Sequence, residues 1–334
     1  MNLDRLEWIN SGQEPPVDSE QRIIDPHHHL WERGGSRYRA EELSEDTSRG
    51  HTVTDTVFVE CLANYRKEAQ KELRSIGETE FVVDESVRAK ELKGCNISGI
   101  VAFLDLSLGD KVSDLIEAHQ ELAGQMLKGI RHATAWSNDP DISISHSKPS
   151  EGLMTDKAFI DGVRFLGSRN LSFDAWMYFD QLHELHDLAT EAPNTRIVIN
   201  HLGAPLNLGM WKKKQDNVMA IWKSELRKLA KLENVYLKIG GIGMENYFGT
   251  NWVSRPKPPS SDEVVTVWNE RILWCIETFG TEKCMFESNY PVDRQTLPYS
   301  VIWNTFQKIV QTFTASEKDD LFWVTARSVY GVGS

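Results

Sequence analysis

The sequence predicts an α/β chain folded as a (β/α)8 TIM barrel, and three observations carry that prediction. Eight strand-like apolar runs lie at 22–27, 54–61, 97–104, 129–135, 171–177, 196–201, 235–240 and 283–288, with helix-like segments between most of them. Strands alternating with helices require a parallel sheet, and eight such units close a barrel. No Gly-x-Gly-x-x-Gly turn follows the first run, which weighs against the rival, an open doubly wound sheet. Long segments at 136–155, 202–216 and 241–262 each follow a strand and contain Pro140, Pro149, Pro205, Pro256, Pro258 and Pro259. The returns from helix to strand are shorter, so elaboration falls on the face where barrel enzymes build their sites.

The helical segments follow from apolar spacing. Residues 66–76 and 80–93 are charged and amphipathic; 110–127 carries Val112, Leu115, Ile116, Leu122 and Ala123; 181–191 carries Leu182, Leu185, Leu188 and Ala189. Residues 217–232 and 262–279 repeat the pattern, and 299–313 and 316–330 read as closing C-terminal helices. The Pro-rich piece 255–259 reads as a loop, because neither flank is a complete domain. One domain over 1–334 is expected, with 1–20 as an N-terminal extension; the barrel is expected regular or distorted.

With 334 residues, 40% of them apolar, the chain can bury a large core. Its 11 tryptophans and 13 phenylalanines exceed what a plain scaffold needs, so some are expected to line a pocket. A net charge of −12 argues against non-specific nucleic-acid binding and against docking on anionic membranes. A local arginine cluster would still admit an anionic small molecule. Cys61, Cys95, Cys275 and Cys284 are scattered without a Cys-x-x-Cys, as expected of reduced intracellular thiols. No basic leader with an apolar run opens the chain, and no stretch has the length to cross a bilayer. A cytoplasmic protein is expected.

The chemistry concentrates in Ile23-Ile24-Asp25-Pro26-His27-His28-His29-Leu30-Trp31. In an extended strand, alternate residues share a face, so Asp25, His27 and His29 are expected to point one way. Three polar groups at the end of a buried strand are costly unless they bind something, and imidazoles beside a carboxylate suit a divalent ion. A surface histidine run or a tag remnant is the plain alternative, but this run is internal and follows an apolar strand.

Other predicted strand ends are polar too: Glu60, Asp105, Arg131 with His132, His201, and Glu287 with Asn289. Asp174, Trp176 and Tyr178 lie along strand five and Lys238 lies in strand seven, within reach of Glu287 as an internal ion pair or as part of the site. A barrel gathers such residues at one mouth. His183 and His186 flank a helix face whose leucines do the packing, so they are expected at the surface. His51 and His146 have no partner visible in the sequence. No Gly-x-Ser-x-Gly elbow or P-loop occurs, so a serine or cysteine nucleophile has no support.

From about residue 22 onward the chain resembles the amidohydrolase superfamily, in the metal-dependent TIM-barrel branch with sugar lactonases and 2-pyrone-4,6-dicarboxylate lactonase. The motifs are Asp25-Pro-His27-His-His29-Leu-Trp31, Val-Glu60-Cys with Tyr65-Arg66, Gly129-Ile-Arg131-His132 with Trp136, His201-Leu-Gly203, Lys238 with Gly240-Gly241, and Met285-Phe-Glu287-Ser-Asn289-Tyr-Pro291. The resemblance matches His27 and His29 to the strand-one pair and His201 to the later strand-end histidine. It implies a divalent metal, zinc or manganese, on His27, His29 and His201. Asn289 stands where the superfamily usually has aspartate. An amide neither takes a proton at neutral pH nor replaces a carboxylate ligand, so metal occupancy is open and Glu287 or Asp293 is the nearest substitute.

These readings predict hydrolysis of a lactone or related cyclic ester on a small, carboxylated molecule. Glu287, Asp25 and His201 are the expected catalytic residues. Arg131 and Arg66 are expected on a substrate carboxylate, Trp31, Trp136 and Tyr178 as apolar walls, and Asn289 as a further contact. The alternatives are a non-oxidative, metal-dependent decarboxylase, which tight zinc and carbon dioxide release would mark, and an inactive binding protein, which binding without turnover would mark. The expected partner is a small-molecule substrate, with no nucleic acid and no membrane; barrels of this kind are often homodimers.

Overall fold

A computed structural model describes residues 3–109 and 111–333. Residues 1, 2, 110 and 334, which fall in the expected extension, helix and domain limits, lie outside the described residues. The ten strands are β1 (Arg22–His28), β2 (Trp31–Arg33), β3 (Ser36–Tyr38), β4 (Thr52–Val59), β5 (Asn96–Ala102), β6 (Leu127–Ile130), β7 (Ser172–Ala175), β8 (Ile197–Ile199), β9 (Val235–Ile239) and β10 (Cys284–Phe286). Eight of them form one parallel sheet in the order β1-β4-β5-β6-β7-β8-β9-β10. All eight predicted strands are present, and the architecture is the (β/α)8 barrel that their alternation with helices implied. An additional antiparallel hairpin, β2–β3, follows β1.

The barrel closes above the last strand rather than along it. His27 O accepts from Asn289 N at 2.9 Å and His29 N donates to Tyr290 O at 2.7 Å. This seam lies at the carboxyl ends of β1 and β10, so closing the sheet also places the first and last motifs side by side. Inside the barrel, Ile24, Val57, Val59, Val101, Val198 and Met285 pack together. Outside it, a larger apolar layer binds the helices, with Trp222, Trp268 and Trp303 fully buried. Most tryptophan area therefore serves the core, where aromatic burial stabilises most.

Most helices form where the apolar spacing predicts them. Ser261–Phe279 begins with a capping box between Ser260 and Glu263. The last segment is helical from Ala315 to Tyr330, through a π-turn at Asp320–Val324. The segment 66–75 holds only a short 3-10 turn, Lys71–Leu73, which buries no side chain, and the regular helix is Ile76–Ala89. Without an apolar stripe to bury, charged residues alone do not hold a helix. Lys157–Ser168, which the periodicity did not single out, is a helix capped by Asp156. In the expected extension, Leu3–Asn10 is helical and the following chain is pinned to the last helices by Glu14 N to Ser300 Oγ and Val17 N to Asn304 Oδ1. Among the described residues no helix is long and apolar enough to cross a membrane.

Candidate active site

The first motif does not keep strict alternation. The ladder between β1 and β4 slips between Asp25 and His28, where Pro26 lacks an amide hydrogen. A bulge of this kind turns the following residues to the other face. Ile24 faces the barrel interior, so Asp25 faces outward, and the slip brings His27 and His29 inward. The expected shared face of Asp25 with the two histidines is therefore corrected. Asp25 accepts from Ser288 Oγ at 2.5 Å, Ser288 N at 3.0 Å and Tyr299 OH at 3.1 Å. Its oxygens are spent on the seam, and burial pushes its carboxyl up to about 6 against those hydrogen bonds.

Glu287 is the hub of the interior face. His201 Nδ1 lies 2.6 Å from Oε1, and His27 Nδ1 lies 2.7 Å from Oε2. The second contact is close but poorly aligned, and His27 Nδ1 and Glu287 Oε2 have no hydrogen-bond partner of good geometry. Both residues are completely buried. The glycine pair after β9 makes this packing feasible. A Cβ on Gly240 would stand 2.3 Å from Glu287 Cγ, and one on Gly241 would stand 2.7 Å from His201 Nδ1. His201 and Asn289 both hold left-handed backbone, with φ of 50° and 53°, which is strain of the sort that collects where side chains are aimed by function.

His29 stands beside this group, its ring centroid 4.9 Å from that of His27, and its Nδ1 is 2.7 Å from Val59 O. Donation to that carbonyl leaves Nε2 as the free acceptor. Burial, joined by the charges of Lys238, His201, His29 and Arg131, holds His27 well below the ordinary histidine value. Burial and Arg131 do the same for His29. Both rings are neutral near pH 7, as metal ligands or acceptors must be.

Arg131 is already engaged. Its Nε donates to Glu60 Oε1 at 2.7 Å and its Nη2 to Glu60 O at 2.5 Å, while Nη1 reaches toward His27 Nε2 at 3.4 Å. Glu60 Oε2 takes His146 Nε2 at 2.8 Å. Burial pushes the Glu60 carboxyl up, but His146 and Arg131 outweigh it and hold it at about 2. Lys238 does not reach Glu287. It pairs at 2.6 Å with Asp174, which also accepts from Tyr330 and Asn200.

A cavity of about 450 Å³ opens above these groups, lined by His29, His201, Trp31, Trp176, Arg33 and Asn289 among others. The structure thus gathers His27, His29, His201, Glu287, Arg131, Trp31 and Asn289 at one mouth. Besides Asp25, three expected residues fall elsewhere. Arg66 is exposed and pairs with Glu80. Trp136 is half-buried and does not line the cavity. Tyr178 is buried behind Trp176 with its hydroxyl on Ser143 O. Arg33, His146 and Tyr247 line the cavity without having been singled out. The loop position of His146 carries no local signal, and Arg33 needs the hairpin to bring it over the site.

Buried imidazoles, a carboxylate and an open cavity at the carboxyl end of a TIM-like β/α barrel make up a candidate hydrolase active site. The sequence profile of the amidohydrolase family matches residues 24–332, and the chain belongs to that family of hydrolases. An uncharacterised protein of Sinorhizobium fredii, y4mH, is 27% identical over 94% of this chain and 100% of its own. L-fucono-1,5-lactonase of Burkholderia multivorans is 23% identical over 92% of this chain and 96% of its own. An amidohydrolase of Burkholderia multivorans solved with bound zinc superposes with a TM-score of 0.71 at 19% identity, covering 93% and 99% of the two chains. A probable 2-pyrone-4,6-dicarboxylic acid hydrolase of Acinetobacter baumannii, solved with citric acid, gives 0.63 at 14% identity over 93% and 99%.

The donor set fits a divalent ion. Among the described residues, the metal-type atoms of His27, His201 and Glu287 lie within 4.8 Å of one another, and the unpartnered buried pair His27 Nδ1 and Glu287 Oε2 belongs to that set. Two imidazoles and a carboxylate are donors that zinc accepts. Glu287 takes the place in this compact set that the sequence reading gave to His29.

Proposed function

We propose that the protein hydrolyses a lactone or related cyclic ester of a small, carboxylated molecule. The observation that carries this reading is the Glu287 carboxylate held between the Nδ1 atoms of His27 and His201 beneath the cavity. His201 takes the proton of the attacking water on the ring nitrogen opposite Nδ1, and Glu287 Oε1 stabilises the resulting imidazolium. A divalent ion held by His27, His201 and Glu287 would instead polarise the carbonyl and lower the pKa of water, replacing proton removal by His201 as the source of the nucleophile. Glu60 and His146 hold Arg131 beside His27, so its positive charge faces the oxyanion that forms on the carbonyl. Arg33 lines the cavity with no carboxylate partner among the described residues and takes the substrate carboxylate. Trp31 and Trp176 form the apolar walls.

The test is a screen of neutral and carboxylated lactones, with and without chelator, beside metal analysis of the purified protein. Turnover of a carboxylated lactone that falls at least about 100-fold in both His27→Ala and His201→Ala supports the reading. Full turnover in both variants, or release of carbon dioxide from a carboxylic acid instead, overturns it.

A further inference from the structure

A second chamber, of about 640 Å³, adjoins the catalytic cavity and shares Trp31 and Gln295 with it. It is roofed by the N-terminal helix, whose Arg5 donates to Gln295 O and to Val253 O at 3.3 Å. Its size suits a small organic molecule.

One wall of the chamber is Arg294, which is 6% exposed. Among the described residues its guanidinium makes no hydrogen bond. The nearest carboxylate oxygen, Asp46 Oδ2, lies 4.0 Å from Nε, and the guanidinium stands 5.3 Å from the centre of the Tyr38 ring. Asp46 is already used by Tyr38 OH at 3.1 Å and Arg49 Nε at 3.5 Å. The acids on the chamber wall are committed as well, Glu42 to Arg37 and the Arg39 amide, and Glu45 to Arg49. A guanidinium carries five N–H donors in a planar fork. Its nitrogens are not sealed in the interior but open onto the chamber without a protein hydrogen bond, whereas charges on so buried a residue are ordinarily both paired and hydrogen-bonded.

We infer that this chamber is a binding site for a small acidic molecule, whose carboxylate or phosphate is received by the fork of Arg294. The site is separate from the histidine cavity and does not depend on the lactonase reading. Because the two spaces share Trp31 and Gln295, its occupant touches the wall of the active site.

Isothermal titration of the full chain with citrate and, separately, with inorganic phosphate tests the inference and tells the two oxyanion chemistries apart. Wild-type protein is expected to bind at least one of them at a site that persists in Arg33→Met. Arg294→Gln should weaken that binding by about tenfold or more, as expected for a lost charge-assisted pair. Arg294→Lys, which keeps the charge and loses the fork, should fall between and guards against a folding defect in the glutamine variant. Arg33→Met reports on the catalytic cavity and should leave this binding unchanged. Equal binding in wild type and Arg294→Gln, loss of binding in Arg33→Met instead, or no binding of either anion to wild type overturns the inference.

Discussion

Two buried polar clusters share the barrel, and they differ in how completely they are satisfied. In the lower one, Lys238, Asp174 and Tyr330 are joined by bonds of 2.6 to 3.0 Å, and none of their side-chain polar atoms lacks a partner. In the upper one, His27 Nδ1 and Glu287 Oε2 lie 2.7 Å apart but misaligned, so neither makes a well-formed hydrogen bond although both are wholly buried. A satisfied buried network fixes structure, whereas an unsatisfied one spends stability to hold groups ready for something else. The lower cluster is the barrel's internal tie, and the upper one is where we propose the chemistry.

The strongest way to break this contrast is at Glu287. Glu287→Gln should lower turnover of the identified substrate by about 10²- to 10⁴-fold, the usual range for general acid–base groups, while the unfolding free energy in urea shifts by no more than roughly 1 kcal/mol. At Lys238 the effect should invert in kind: Lys238→Met leaves Asp174 buried without its cation and should cost about 3–5 kcal/mol of stability in the same urea titration. Gly240→Ala sharpens the contrast from the packing side. The added methyl would collide with Glu287 at 2.3 Å, for a loss of about 1–3 kcal/mol together with reduced turnover.

A smaller difference is selective for pH. Glu60 is held at about 2, below the ordinary carboxylate value of roughly 4.3. A depressed folded pKa stabilises the native state above the unfolded value, and that contribution drains away as pH falls toward the folded value. Thermal melts should therefore show Glu60→Gln losing less stability than wild type between about pH 4 and 2. The smallest effect is expected at His28, which is buried against Phe58 with both ring nitrogens unpartnered. His28→Leu should be neutral or stabilising by about 1 kcal/mol in a urea melt, because it removes an unsatisfied polar group.

Much of the site was legible because strand ends carry polar residues after apolar runs, and a parallel barrel gathers strand ends. That reasoning reached His27, His29, His201, Glu287 and Arg131. It failed at Asp25, because a bulge at Pro26 changes face and alternation alone does not register a slip. It failed at Arg66 and Tyr178, whose chain positions lie near the site while their side chains turn to solvent or to the layer behind. His146 and Arg33 were out of reach for the opposite reason. They sit on a loop and a hairpin, and the conformations of such segments follow from packing rather than local pattern.

The barrel and the identity of its histidines were determined by the sequence itself, since period-two apolar runs alternating with period-3.6 helices leave few other ways to bury the same surface. The tertiary structure alone decided which carboxylate serves them. Asp25 and Glu287 both lie beside the histidine motifs in the folded sheet. A one-residue slip in β1 and the absence of a side chain at Gly240 send the first to the seam and admit the second between two imidazoles. Such choices turn on distances of a few ångströms between segments remote in the chain, and no local property of either segment encodes them.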